Sequence, residues 1–85
     1  MNLIAHGPIV VRNDIQYHVE MQDYDAYIHL RDRCRYQVFI KSINQVGYIQ
    51  YHQRKFFGPA DFDSAYQYFV EMCQYLIFNT PERME

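Results

Sequence analysis

The feature that most restricts the fold is a change of apolar period at Gly58-Pro59. Before that point hydrophobic residues recur at every second position, and after it they recur with the period of a helix. In IQYHVEMQ, Ile15, Tyr17, Val19 and Met21 alternate with Gln16, His18, Glu20 and Gln22, the pattern of a strand with one buried and one wet face. Ile9 to Arg12 reads as its partner, joined through Asn13-Asp14, two residues that tolerate positive φ and suit a tight hairpin. After a turn at Asp23-Tyr24-Asp25, Ala26, Ile28 and Leu30 alternate again until Arg31-Asp32-Arg33 breaks the pattern. From Arg35 to Lys41 the inward set is Tyr36, Val38 and Ile40, which leaves Arg35, Gln37, Phe39 and Lys41 outward. Ser42 to Gly47 is a connection, and Tyr48 to Gln53 is a last strand in which Tyr48, Ile49 and Tyr51 are all candidates for burial.

The segment DFDSAYQYFVEMCQYLIFN, Asp61 to Asn79, has the helical period. Asp61 stands where a capping side chain is preferred, Asp63 lies near the positive end of the dipole, and Pro81 stops the helix beyond Asn79. The expected fold class is α+β: an antiparallel four- to five-stranded meander over about residues 9–57, packed by one C-terminal helix over about 61–79. With 85 residues the chain has room for a single domain, 1–85, whose core is small. An apolar fraction of 49% with three Gly and three Pro is globular rather than disordered.

A net charge of −2 supplies no global attraction to nucleic acid or to an anionic membrane. Cys34 and Cys73 lie far apart and make no motif, so they read as reduced, partly buried thiols of a cytoplasmic protein. MNLIAHGPIVV has no basic flank and no long apolar run, unlike a signal peptide, and no stretch reaches the ~18 uninterrupted apolar residues of a membrane span.

On a helical wheel Phe62, Ala65, Phe69, Met72, Cys73 and Leu76 form the centre of the apolar face, the stripe expected on the sheet. Two flanks lie outside it, Tyr68 with Tyr75 on one side and Val70 with Ile77 on the other. The apolar arc is roughly 220° wide, about twice what one sheet covers. The surplus needs a cover: the arm Asn2 to Pro8, a second copy of the chain, or another protein. Tyrosine tolerates exposure without a partner, but nine Tyr and six Phe are what interfaces accumulate. The helix flank Tyr68, Tyr75, Met72, Val70 and Ile77 is therefore the first candidate binding surface.

No catalytic residue, metal site or cofactor is implied. His18, His29 and His52 share the outer sheet face on these strand assignments, but no HxH or HxxxH pair accompanies them and His6 stands apart. Cys34 lies between Arg33 and Arg35 without a residue that serves as base and orienting group. Neither GxSxG nor GxxxxGK occurs.

The outer sheet face is the second candidate surface, with Tyr27, Arg31, Arg33, Arg35, Phe39, Lys41 and Arg54 beside Gln37, Gln50, His29 and His52. Cations, amides and aromatics mixed in this way suit a phosphate backbone and stacked bases. A three-stranded sheet followed by a helix also resembles, in outline, the arm-type DNA-binding domains of phage integrases. Glu20 on the same face and the acidic overall charge oppose that reading. The strand followed by DFDSAYQYF, from Tyr48 to about Leu76, is similar to the organisation of one type of small phage-encoded anti-CRISPR protein. That resemblance implies a non-enzymatic inhibitor of a nuclease or surveillance complex in a host cytoplasm, and carries over no functional residue. The expectation is a protein-binding module, an inhibitor or adaptor, with a small nucleic-acid-binding domain as the alternative.

Overall fold

The computed structural model describes residues 2–23 and 34–81. The strand expected at Ala26 to Leu30, and with it Tyr27, His29, Arg31 and Arg33, lies outside the described residues. Among the described residues five strands, β1 (Asn2–His6), β2 (Val10–Arg12), β3 (Ile15–Asp23), β4 (Tyr36–Ile43) and β5 (Ile49–Phe57), precede one helix, α1 (Phe62–Phe78). All strand pairings are antiparallel, in the order β1-β3-β4-β5, with β2 also on β3. The α+β sheet-and-helix fold expected from the sequence is the one observed.

The sheet begins earlier than expected. Asn2 to His6 pairs with Glu20 to Asp23, so the N-terminal segment is an edge strand instead of an arm over the helix. β1 and β2 run along the same edge of β3, separated at Gly7-Pro8-Ile9. Proline has no N–H for a ladder, which accounts for the break, while Gly7 still donates to the Val19 carbonyl at 2.9 Å. A Cβ at Gly7 would stand 2.7 Å from Cys73 Sγ, so the bare backbone lets α1 sit close over this edge. Asn13 and Asp14, at φ 52° and 64°, form the two-residue β2–β3 turn with both central residues left-handed.

The alternation of β3 becomes a core. Tyr17, Val19 and Met21 face α1 together with Tyr36, Val38 and Ile40, and Ala65, Phe69 and Leu76 meet them from the helix. Asp61 occupies the N-cap position without a side-chain cap bond, and its carbonyl accepts from Ala65 N at 2.9 Å. Phe62, expected at the centre of the buried stripe, stays 41% exposed; its ring meets the edge of Tyr36, 5.4 Å between ring centres, and stacks on Tyr66 at 6.4 Å.

Arg12 locks the other end. Its guanidinium donates to the carbonyls of Leu76 at 2.7 Å, Asn79 at 2.9 Å and Ile77 at 2.6 Å. A helix end leaves its last carbonyls unpaired, and α1 has no basic residue in its last turn, so β2 supplies the cation that the negative end of the dipole favours. The bond to Leu76 is partly buried and the other two are exposed; a hydrogen bond to a charged group is worth about 1.5–3 kcal/mol, and less where water competes. Arg12→Met, which keeps the alkyl stem, should lower stability by ~2 kcal/mol and the melting temperature by roughly 8–16 °C. Thermal unfolding followed by circular dichroism measures it, and an unchanged melting temperature would show the clamp to be idle.

Candidate functional site

The outer face of the sheet is less wet than its alternation implies. Phe39 is 1% exposed, with the edge of Tyr51 5.0 Å away and Arg54 5.5 Å over its ring. Beside it Glu20 is buried as well. His18 Nε2 lies 2.7 Å from one carboxylate oxygen of Glu20, Lys41 Nζ lies 3.5 Å from the same oxygen, and Gln22 donates to the other at 3.0 Å. Gln37 in turn donates to Gln22 at 2.6 Å, and the His6 ring meets His18 edge-on. Burial alone would raise the Glu20 pKa, but bonds from His18 and Gln22 and the charge of Lys41 outweigh it and hold the carboxyl below its usual range. This is an ion-pair network packed into a sheet, with both carboxylate oxygens of Glu20 engaged by neighbouring side chains.

Strand β5 departs from the expected parity. Val38 pairs with Lys55 and Ile40 with His52, so Phe39 faces two residues, Gln53 and Arg54, across a bulge where Gln53 has φ 53°. The extra residue resets the alternation. His52 and Gln50 lie on the helix side rather than outward, and His52, 3% exposed, sits 2.8 Å from Ser42 Oγ. An outer-face trio of His18, His29 and His52 is therefore not assembled: His52 is on the opposite face and His29 lies outside the described residues. Tyr48, Ile49 and Tyr51, expected to be buried in some combination, are all exposed.

The bulge also turns Arg54 outward, where its guanidinium lies 4.7 Å over the exposed ring of Tyr51. Lys55 points the other way, 5.2 Å over the ring of Tyr68 and 5.4 Å over that of Phe57. Neither cation has a carboxylate within pairing distance among the described residues, whereas Arg35 pairs with Asp23 at 3.3 Å. Tyr48, Ile49, Gln50, Tyr51 and Arg54 line one depression of about 400 Å³. Of the expected outer-face set, Arg54 is presented to solvent on this ridge. Phe39 is buried beneath it, Lys41 is held by Glu20 and Arg35 by Asp23.

The two helix flanks are unequal. Tyr68 and Tyr75, expected outside the central stripe, pack against the core beside Met72, which was expected within it, and the Tyr68 hydroxyl donates to the Gln53 carbonyl at 2.8 Å. Burial, with Glu71 nearby, pushes the Tyr68 phenol up, and burial does the same to the Cys73 thiol, which makes it a poor nucleophile. Val70 and Ile77 are exposed as expected, and Tyr66, not singled out from the sequence, lies with them. Its position on the wheel falls between Phe62 and Ile77, a signal that was present in the spacing.

Among the described residues no group of three or more His, Cys, Asp or Glu is placed to hold a metal ion, and no helix is long and apolar enough to cross a membrane. No protein-family model matches the chain, and comparison with curated proteins and with solved structures gives no match either.

The Glu20 network predicts an acid limb. A carboxyl whose folded pKa is depressed contributes stability that is complete above its ordinary 4.5 and is lost as pH falls through the folded value. Denaturant midpoints measured between roughly pH 6 and pH 3 should fall more steeply for the natural chain than for Glu20→Gln. Parallel curves would mean that Glu20 titrates as an ordinary carboxylate.

Proposed function

We propose that this protein is a non-enzymatic binding module, an inhibitor or adaptor that occupies a surface of a larger protein or complex through the β5 ridge. The observation that carries the reading is Arg54, held over the exposed Tyr51 ring with no carboxylate within pairing distance among the described residues, and flanked by the exposed Tyr48 and Ile49. Arginine and tyrosine dominate the few residues that anchor protein interfaces, and a guanidinium already stacked on a ring loses less freedom when it binds a partner's carboxylate. In keeping with the similarity to small phage-encoded anti-CRISPR proteins, the partner is a nuclease or surveillance complex met in a host cytoplasm. The helix flank on the opposite face serves self-association instead.

Nucleic acid is the second reading, favoured by the same Arg54–Tyr51 pair as a stacking platform. It ranks lower because Lys41 and Arg35 are engaged by carboxylates and Lys55 faces away from Arg54. Affinity for a polyanion grows with the number of phosphates neutralised, and among the described residues of the outer face Arg54 is the one cation not held by a carboxylate.

Once a partner is purified, Arg54→Ala and Tyr51→Ala should each weaken binding by about 30-fold, the equivalent of ~2 kcal/mol at an anchor residue. Arg54→Ala, which also uncovers part of the Phe39 ring, should keep the circular dichroism spectrum of the folded chain. Titration calorimetry supplies the affinities, and values within a factor of two of the natural chain would remove the ridge from the interface. If short single-stranded DNA or RNA is instead retarded in low-salt gels and released as salt rises, the ridge is a nucleic-acid surface.

A further inference from the structure

Apart from Phe78 in its last turn, the exposed apolar surface of α1 lies along one flank. The flank toward β5 is closed by Tyr68, Met72 and Tyr75 against the core, whereas on the flank toward β1 and β2 Tyr66 is 49% exposed, Val70 37% and Ile77 53%. Cys73 lies between them, half-buried where the helix rests on Gly7. The spacings Tyr66 to Val70, Val70 to Cys73 and Cys73 to Ile77 are four, three and four residues, the rhythm of a seam that receives another helix.

The charges at the two ends of this seam decide which helix. Asp61 and Asp63 stand at its N-terminal end, and at its C-terminal end the Arg12 guanidinium sits on the carbonyls of Leu76, Ile77 and Asn79. Among the described residues one end is anionic and the other cationic, so the flank is complementary to itself when turned end for end. We propose that two copies of this chain associate through this flank, their α1 helices antiparallel about a two-fold axis between Val70 and Cys73. Tyr66 of each copy then meets Ile77 of the other, and the acidic end of each helix lies beside the Arg12 clamp of its partner. A parallel pair would instead set like charges against each other. This surface is on the helix side of the sheet and is independent of the β5 ridge.

Sedimentation equilibrium from micromolar to hundreds of micromolar chain tests the assembly, because the mass should rise from 10.4 kDa toward twice that value. Val70→Glu should return the monomer with unchanged circular dichroism and melting temperature, and Asp63→Lys should raise the dimer dissociation constant by roughly tenfold. Orientation is read by oxidising a mixture of Tyr66→Cys and Ile77→Cys chains, both carrying Cys34→Ser and Cys73→Ser. Cross-links should join the two kinds of chain in preference to joining like with like. A mass that stays at 10.4 kDa throughout, a dimer that survives Val70→Glu, or Tyr66→Cys chains that cross-link chiefly to themselves would each overturn the proposal. A monomer destabilised by Val70→Glu would place a segment of the same chain on the flank instead.

Discussion

Everything in this protein hangs on the contact between the inner side of the β3–β4 pair and a single stripe of α1. Val19, Met21, Val38 and Ile40 have no solvent exposure, and Ala65, Phe69 and Leu76 close over them. Burying side chains of this size stabilises by about 1.5–3 kcal/mol each, and a chain of this length has few other sources of comparable size. The small Ala65 allows the helix to approach the sheet, and Gly7 does the same at the edge, where a Cβ would collide with Cys73. Each remaining feature concerns what is left uncovered once this contact is made.

On the helix, the contact is off-centre with respect to the apolar arc. Tyr68 is drawn over β5, where its hydroxyl finds the Gln53 carbonyl and its ring meets Phe57 and Lys55. One flank is thereby spent on the fold and the other is left with Tyr66, Val70 and Ile77 in solvent. The same Gln53 is the residue that bulges β5, so a single irregularity supplies the carbonyl that seats Tyr68 and the turn that presents Arg54.

The outer face shows how a polar alternation can still build a second, smaller interior. Phe39 lies under Tyr51 and Arg54, and Glu20 is sealed among His18, Gln22 and Lys41. Once buried, a carboxylate needs partners on all sides, and here they come from adjacent strands in register: His18 and Gln22 from β3, and Lys41 from β4 opposite His18. Charge that looked available for a ligand is consumed by the sheet itself.

Sequence alone determined the strand faces of Tyr17, Val19, Met21, Tyr36, Val38 and Ile40, the Asn13-Asp14 hairpin and the span of α1, because these follow from local period and turn chemistry. It also marked Val70, Ile77 and Arg54 as outward residues. Tertiary structure alone decided that Asn2 to His6 is a strand, that His52 turns inward, that Phe39 and Glu20 are buried, and that Arg12 caps a helix more than sixty residues away. The physical reason is the range of the interaction. Alternation and capping preferences act over a few residues, whereas the reach of Arg12, the bulge at Gln53 and the choice of which helix flank to bury are settled by groups that meet only after the chain has folded.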